Sequence, residues 1–132
     1  MEKLATFLMF QDDNAEEAMN YYTNLIEDSQ ITSIVRYGPN ESGKEGTVMQ
    51  ATFTLKQQEF MCIDSHVKHQ FSFTPSVSIF VTCDTEEELN DLYQSLNEGG
   101  QALMPLGDYG FSKKFGWLND RFGVSWQLNL PK

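Results

Sequence analysis

The stretch SVSIFVTCDTEEELNDLYQSL, residues 76–96, changes its periodicity partway along, and this change decides the fold. Residues 76–83 alternate as a β-strand does. The residues that follow repeat every three or four positions, as on a helix whose buried stripe is Leu89, Leu92, Tyr93 and Leu96. Thr85 and Glu88 have the spacing of a capping box, and Gly99-Gly100 are suited to end the helix. The stretch therefore predicts a strand that leads directly into a helix.

The same strand-to-helix pattern occurs earlier, in ATFLMF (5–10) and NAEEAMNYYTNLI (14–26), with Asn14 and Glu17 as capping residues. Each copy is followed by three strand-like runs, at 31–37, 47–55 and 59–65 in the first half and at 101–109, 112–120 and 124–130 in the second. The sequence predicts an α+β fold of two repeated β-α-β-β-β modules, about residues 1–70 and 71–132. We expect a single domain, because either module alone is small for independent folding.

Length and charge limit the classes of function. The 132 residues carry a formal net charge of −10, which repels phosphate backbones and anionic headgroups, so we expect neither nucleic acid nor a membrane as a partner. No apolar run approaches the roughly 20 residues that span a bilayer, and MEKLATF lacks a signal-peptide pattern, which favours a cytoplasmic location. Cys62 and Cys83 have no second Cys at metal-binding spacing and are predicted to be reduced thiols.

Alternation along the strands predicts a second sheet face, opposite the helices. In residues 47–55, the helix would take Met49, Ala51, Phe53 and Leu55, which leaves Val48, Gln50, Thr52 and Thr54 on the other face. In residues 124–130, it would take Trp126, Leu128 and Leu130. The residues predicted for the other face combine apolar walls with neutral hydrogen-bonding groups, as a site for a small organic ligand does. They are Phe7, Met9, Gln50, Thr52, Ser78, Phe80 and Gln127. The alternative is that these are the solvated outer positions of an antiparallel sheet.

Two further residues are predicted for the same pocket. Asp64 alternates with Phe60 and Cys62, so it would be a buried carboxylate that acts as a base or cation anchor if those residues face the pocket. Solvation at the strand end is the alternative. Trp117 would lie beside the pocket or at a subunit contact, on a hairpin that forms the rear wall of the cavity.

Several motifs carry a family resemblance: AEEAMNYYTNLI, EGTVMQATFTL, FMCIDS, FSFTPSVSIFV, EGGQALMPLGDYGFSKKFGW and NDRFGVSWQLNL. Together with the duplication, they resemble the PhnB-like group of the vicinal oxygen chelate superfamily, which includes glyoxalase, bleomycin-resistance and extradiol dioxygenase proteins. The resemblance covers almost the whole chain. It implies a glyoxalase-like curved sheet around a cleft, and a homodimer, because related folds commonly build their cavities at a subunit contact.

Metal-dependent members of the superfamily take ligands, usually His or Glu, from the first strand and a later strand of each half. By motif, these positions fall at Phe7, Gln50, Ser78 and Gln127. None of the four offers an imidazole, carboxylate or thiolate, the ligands that divalent transition metals prefer. We therefore expect no metal at these positions and no cofactor. A one-residue shift in register would change this expectation, because it exchanges the two faces of a strand.

The resemblance also brings a label, 3-demethylubiquinone methyltransferase, that PhnB-like sequences carry. A Rossmann-type methyltransferase needs a parallel sheet and a glycine-rich strand-to-helix turn. The two turns of this chain, FQDDNAEE and TCDTEEE, contain no glycine. The sequence therefore does not favour this activity.

The leading expectation is a metal-free small-molecule-binding protein, whose net charge would favour a cationic aromatic ligand. One alternative is a glyoxalase- or dioxygenase-type enzyme that uses a divalent metal bound elsewhere, or that uses Asp64, Cys62 or Tyr109 in acid-base chemistry. Another is an interaction module whose exposed sheet face binds a second protein. No catalytic residue is assigned from the sequence.

Overall fold

The computed structural model describes all residues from Met1 to Lys132, and the chain divides into two compact units, unit 1 (Met1–Gln70) and unit 2 (Phe71–Lys132). Unit 1 contains one helix and four strands: β1 (Thr6–Phe10), α1 (Ala15–Leu25), β2 (Ser29–Arg36), β3 (Val48–Leu55) and β4 (Gln58–Asp64). Unit 2 repeats this order in β5 (Ser78–Thr82), α2 (Glu86–Asn97), β6 (Gln101–Gly107), β7 (Lys114–Asn119) and β8 (Ser125–Leu130). The predicted α+β fold of two β-α-β-β-β modules is confirmed. Neither helix has the length and apolar character needed to cross a membrane.

Both sheets have the same mixed topology. The strand order is β1-β4-β3-β2 in unit 1 and β5-β8-β7-β6 in unit 2. The first strand of each module pairs in parallel with the last, while the other pairs are antiparallel. A parallel pair cannot be joined by a tight hairpin, so the chain leaves the first strand through a helix before it returns.

Each unit has its own core, between its helix and one face of its sheet. In unit 1, Met19 and Tyr22 of α1 are buried with Phe53 of β3, whose ring stacks on Phe60 with the centroids 5.2 Å apart. In unit 2, the predicted stripe of α2 is buried, as are Leu118, Trp126 and Leu128 of the sheet. The alternation predicted for the last strand, with Trp126, Leu128 and Leu130 toward the helix, is therefore confirmed.

A β-bulge corrects the predicted phase at the start of β3. Val48 was expected on the face away from the helix, yet it is fully buried, while Met49 is only partly buried. The pairing with β2 shifts between Val35 and Arg36, so that Gln50 lies opposite Val35 while Val48 lies opposite Arg36. The extra residue at this bulge reverses the direction of the side chains on either side of it. Strict alternation does not predict such a reversal.

The two helices begin in different ways. In α2, the Thr85 side chain accepts a hydrogen bond from the Glu88 backbone N–H at 3.1 Å, and the Glu88 carboxylate accepts one from the Asp84 backbone N–H. The predicted cap of α2 is therefore present, with Asp84 as the reciprocal donor. In α1, Asn14 makes no side-chain capping bond. The Asp64 carboxylate takes over that role from the end of β4, since it accepts a hydrogen bond from the Ala15 backbone N–H at 2.9 Å.

The reversal between β7 and β8 is organised by Asp120, which is 3% exposed. Its Oδ1 accepts hydrogen bonds from the backbone N–H groups of Phe122 and Val124, and its Oδ2 accepts one from the indole Nε1–H of Trp126 at 2.9 Å. Gly123 has φ +93°, a conformation that favours glycine. A single carboxylate thus links the turn to the largest buried side chain of unit 2.

We expect Asp120→Asn to destabilise the protein, because an amide presents only one acceptor oxygen and sets its N–H₂ group against a donor. Loss of a buried charge-assisted bond predicts a decrease of about 2 kcal/mol in the free energy of unfolding. Urea unfolding followed by tryptophan fluorescence measures this change. Asp91→Asn, at an exposed position of α2, is the matched control. Equal unfolding midpoints for the two variants would contradict the role assigned to Asp120.

Candidate functional site

The open face of each sheet, meaning the side opposite its helix, is the candidate ligand surface. In unit 1, Phe7 and Met9 of β1 lie on this face, because their neighbours Leu8 and Phe10 are buried toward α1. Directly paired residues share a face, so Met61 and Ile63 of β4 join them. Phe7 is 50% exposed, and Met61, Ile63 and Met9 are partly buried. This face is thus mainly apolar.

Polar residues complete the open face of unit 1. Thr52 of β3 pairs with Met61, while Gln50 pairs with Val35 at the edge of the sheet. Glu59 is the charged residue that alternation places on this face of β4, and it forms an ion pair with Lys3 at 3.4 Å. The other polar residues, Thr52 and Gln50, offer a hydroxyl and an amide group.

The open face of unit 2 forms a regular grid across β7, β8 and β5, since the pairing there has no bulge. The first row, called here the polar row, is Asn119, Ser125 and Ser78. The second, called the aromatic row, is Trp117, Gln127 and Phe80. The third row is Phe115, Asn129 and Thr82. None of these nine side chains carries a charge at neutral pH.

A chain of hydrogen bonds connects the first two rows. Trp117 Nε1–H donates to Ser125 Oγ at 2.8 Å, and Ser125 Oγ lies 2.7 Å from Ser78 Oγ. Ser78 Oγ donates in turn to the Pro75 carbonyl oxygen at 3.4 Å. Because the indole can only donate and the carbonyl can only accept, every proton is used when the bonds run from Trp117 through Ser125 and Ser78 to Pro75. The chain fixes the indole ring on the sheet surface.

Asn119, at the end of the polar row, differs from the two serines. Its side-chain oxygen is buried and has no hydrogen-bond partner. A buried acceptor without a partner costs about 1–3 kcal/mol, so groups of this kind are uncommon and call for an explanation. Asn119 is two residues from Trp117 on the same face of β7, and its oxygen is covered by the protein itself.

A second aromatic group covers the third row. Phe111 and Tyr109 pack against Phe115 with centroid separations of 5.0 and 6.3 Å, and Phe115 is buried as a result. The Tyr109 hydroxyl donates to the Pro105 carbonyl oxygen at 2.5 Å, which holds the ring in place. Tyr109 and Phe111 remain 42% and 62% exposed. These two exposed rings therefore lie over the third row on this side of unit 2.

Most predicted pocket residues do lie on an open face: Phe7, Met9, Gln50 and Thr52 in unit 1, and Ser78, Phe80, Trp117 and Gln127 in unit 2. Asp64 is the exception and requires a correction. It pairs with the buried Phe10 on the helix side of the sheet and is 2% exposed. Its two oxygens accept the backbone N–H groups of Ala15 and Val48, so it joins the starts of α1 and β3.

The groups considered for acid-base chemistry are unsuited to it. Burial raises the pKa of Asp64, and the two backbone hydrogen bonds oppose that shift, but both oxygens of the carboxylate are occupied. Burial, with the nearby Asp64 charge, raises the pKa of the Cys62 thiol to about 12. Tyr109 uses its hydroxyl proton on a backbone carbonyl. The Asp64 oxygens are thus held by backbone donors, and the Cys62 thiol stays protonated near neutral pH.

The donor groups on the open faces do not fit a divalent transition metal. Gln50 lies on the third strand of its module and Gln127 on the fourth, so the two amides do not occupy equivalent places in the repeat. Opposite Phe7, the fourth strand of unit 1 carries Met61, which is no better as a ligand for such an ion. No group of three or more His, Cys, Asp or Glu side chains is placed to hold a metal ion.

Three residues of the open faces were missed by sequence reasoning: Met61, Ile63 and Asn119. The signal was present, because Met61 and Ile63 alternate with the buried Phe60, Cys62 and Asp64. In the second module, Asn119 is in phase with Trp117. Extending the alternation to every strand would have found all three.

Comparison with known proteins identifies the relatives of this chain. Residues 2–129 match the protein-family model described as 3-demethylubiquinone-9 3-methyltransferase. A solved Bacillus cereus structure, described as a PhnB protein, is 62% identical, with a TM-score of 0.94 over 98% of this chain and 99% of that one. Protein PA1353 from Pseudomonas aeruginosa is 26% identical, with a TM-score of 0.83 over 99% and 98% of the two chains. A search of the curated proteins finds no significant match.

More distant structures share the fold alone. A glyoxylase/bleomycin resistance protein/dioxygenase domain from Frankia is 14% identical, with a TM-score of 0.64 over 100% of this chain and 93% of that one. The fosfomycin resistance protein FosX from Listeria monocytogenes is 10% identical, with a TM-score of 0.62 over 100% and 94%. The fold is therefore glyoxalase-like.

Both cysteines are expected to be unreactive in the folded protein. Burial raises the pKa of Cys62 to about 12 and that of Cys83 to about 11, so neither thiol is ionised near pH 8. A dithiobis-nitrobenzoate assay should detect no thiol in the native protein and two thiols in urea. Ser42→Cys, at an exposed loop position, is the control and should add one thiol that reacts in the native state. Stoichiometric reaction of the native wild type would contradict this expectation.

Proposed function

Because the chain belongs to the PhnB-like family whose model is described as 3-demethylubiquinone-9 3-methyltransferase, and its fold is glyoxalase-like, we propose that it is a small-molecule-binding protein that binds without a metal. The ligand contacts the open face of unit 2. The observation that carries the proposal is the aromatic row, where the exposed ring of Phe80 and the partly buried ring of Trp117 lie beside neutral hydrogen-bonding groups. Binding sites for organic ligands combine these two kinds of group.

The methyltransferase activity in the family description is not part of the proposal. Each sheet of this chain is mostly antiparallel, and the segments that join β1 to α1 and β5 to α2 contain no glycine. The doubly wound parallel sheet that holds S-adenosylmethionine in Rossmann-type enzymes requires the opposite on both counts. The description is informative about the ligand, however, because it names a quinone, a planar ring of the size that the aromatic row could cover.

We also do not propose the chemistry of metal-dependent relatives for this chain. Phe7 and Met61 in unit 1, and Ser78 with its neighbours in unit 2, lack the ligands that such chemistry needs. The fold keeps an exposed surface for a small molecule but lacks side chains that coordinate a metal. This combination supports binding as the role of the fold in this chain.

We expect the protein to bind simple planar aromatic compounds, with Phe80 as a main contact. Calorimetric titration with 2-naphthol and 2-methoxynaphthalene should give saturable binding. Phe80→Ala should weaken it about tenfold, because truncation removes a stacking surface worth about 1.5 kcal/mol. Phe80 is 57% exposed on the sheet surface, so its loss should leave the fold intact.

Val77→Ala is the matched control for Phe80→Ala. Val77 is 72% exposed, lies directly before β5 and is out of phase with the open face, so its truncation should leave binding unchanged. Equal losses in both variants would contradict the proposed surface, as would a wild type that binds neither compound.

We further propose that the protein is a homodimer. Phe7 on β1 and Val35 on β2, the two edge strands of unit 1, are 50% and 54% exposed on its open face, and large exposed apolar side chains support an interface there. Light scattering coupled to size exclusion should give twice the chain mass of 15.1 kDa. A mass of one chain at all protein concentrations would contradict the proposal.

A further inference from the structure

We infer that the open face of unit 2 selects a neutral planar ligand whose edge carries an N–H beside a carbonyl oxygen, as a lactam ring does. The Gln127 side chain recognises that edge with two hydrogen bonds and determines specificity. The inference rests on the proposed function, and it narrows the ligand to one chemical class.

Gln127 lies at the centre of the open face. Its strand, β8, is an interior strand of the sheet, with β7 on one side and β5 on the other. Gln127 pairs directly with Trp117 of β7 and with Phe80 of β5. Its chain neighbours, Trp126 and Leu128, are buried on the helix side. The Gln127 side chain therefore projects from the middle of the aromatic row, where a ligand that covers the row contacts it.

The Gln127 amide is accessible to a ligand, in contrast to the covered oxygen of Asn119. Gln127 is only partly buried, and its side chain has no hydrogen-bond partner in the protein. Its amide oxygen and nitrogen both keep accessible surface, whereas the Asn119 oxygen does not. The donor and the acceptor of this amide are thus both free to bond to a ligand.

The other polar groups beside the rings are already engaged. Trp117 Nε1–H is used on Ser125, and the protons of Ser125 and Ser78 are used along the chain to Pro75. Gln127 is therefore the member of the aromatic row that offers both a donor and an acceptor. A primary amide holds its N–H and its carbonyl oxygen in one plane, so its complement is an edge with an acceptor and a donor side by side.

The absence of charge on the grid favours a neutral ligand. All nine side chains of the three rows are uncharged at pH 7. An ionised ring that moves from water onto this surface loses hydration and gains no counter-ion, which costs free energy. A lactam is uncharged at this pH and brings one donor and one acceptor. It therefore suits both the amide and the neutral surface around it.

The pairing across the strands joins the ring and its edge in one molecule. Adjacent strands of a sheet lie about 4.8 Å apart. A ring that packs on Phe80 or Trp117 therefore brings its edge within hydrogen-bonding reach of the Gln127 side chain. A ring without the N–H contacts the same aromatic side chains but leaves the Gln127 oxygen without a donor.

Calorimetric titration with four quinoline derivatives tests the inference. The probe with the lactam edge is 2-quinolone. Two neutral probes, 1-methyl-2-quinolone and 2-methoxyquinoline, keep an acceptor but lack the N–H, and 1-methylquinolinium is a cation with the same ring system. We expect 2-quinolone to bind about fivefold to tenfold more tightly than either methylated neutral probe, the effect of one hydrogen bond. The cation should bind more weakly than 2-quinolone.

Two variants of β8 locate the effect. Gln127→Met keeps the length of the side chain without the amide, so its affinities for the three neutral probes should agree within about twofold. Asn129→Leu is the matched control, because Asn129 carries the other amide of β8 on this face, between Phe115 and Thr82. This variant should keep the preference for 2-quinolone. Thermal unfolding checks that both variants are folded.

A third variant keeps the test decisive if Gln127→Met does not fold. Gln127→Glu places a carboxylate in the neutral grid, so it should bind 1-methylquinolinium about fivefold more tightly than the wild type does. An unchanged affinity for the cation would contradict the position assigned to this side chain.

The outcomes separate this inference from the proposed function. Equal binding of 2-quinolone and 1-methyl-2-quinolone by the wild type would overturn the inference and leave small-molecule binding in place. The same holds if the preference survives in Gln127→Met, if it disappears in Asn129→Leu, or if the wild type binds the cation most tightly. Failure of all four probes to bind would contradict the proposed function itself.

Discussion

The parallel pairing of the first strand of each module with its last strand is the constraint on which the structure depends. It forces a helical crossover, and that helix covers only one face of the sheet. It also sets the register of the opposite face, since the alignment of β5 with β8 brings Ser78 to Ser125 and Phe80 to Gln127. The core and the candidate ligand surface are thus two consequences of one pairing.

Two buried carboxylates hold this arrangement together, and neither belongs to the ligand surface. Asp64 and Asp120 each accept backbone N–H groups that lie where secondary structure begins or reverses. Charge-assisted bonds to backbone donors are stronger than neutral ones, which offsets the cost of removing each carboxylate from water. In a chain rich in acidic residues, the buried ones are therefore structural, while most others are solvated.

The sequence was sufficient for the fold, because two independent periodicities, one of strands and one of helices, change at the same points in both modules. It was also sufficient for the open face wherever a strand pairs without interruption, as at Phe7, Phe80 and Gln127. It failed where the structure depends on long-range contacts. The bulge that buries Val48 arises from pairing with β2, and the hydrogen bonds of Asp64 to Ala15 and Val48 join segments that are distant in the chain. Neither the bulge nor these bonds leave a local pattern in the sequence.

The net charge of the whole chain favours a cationic ligand, whereas the uncharged ligand surface favours a neutral one. The distances over which the two interactions act decide between them. The field of a net charge of −10 is screened over about 8 Å at physiological ionic strength, so it raises the local concentration of cations without fixing one in a site. Contacts on the grid act within hydrogen-bond and van der Waals distance, where Trp117 and Phe80 offer rings among neutral polar side chains. The short-range contacts therefore determine whether a ligand stays bound. The net charge of the chain affects its solubility and the rate at which it meets a ligand, while the neutral grid determines which ligand binds.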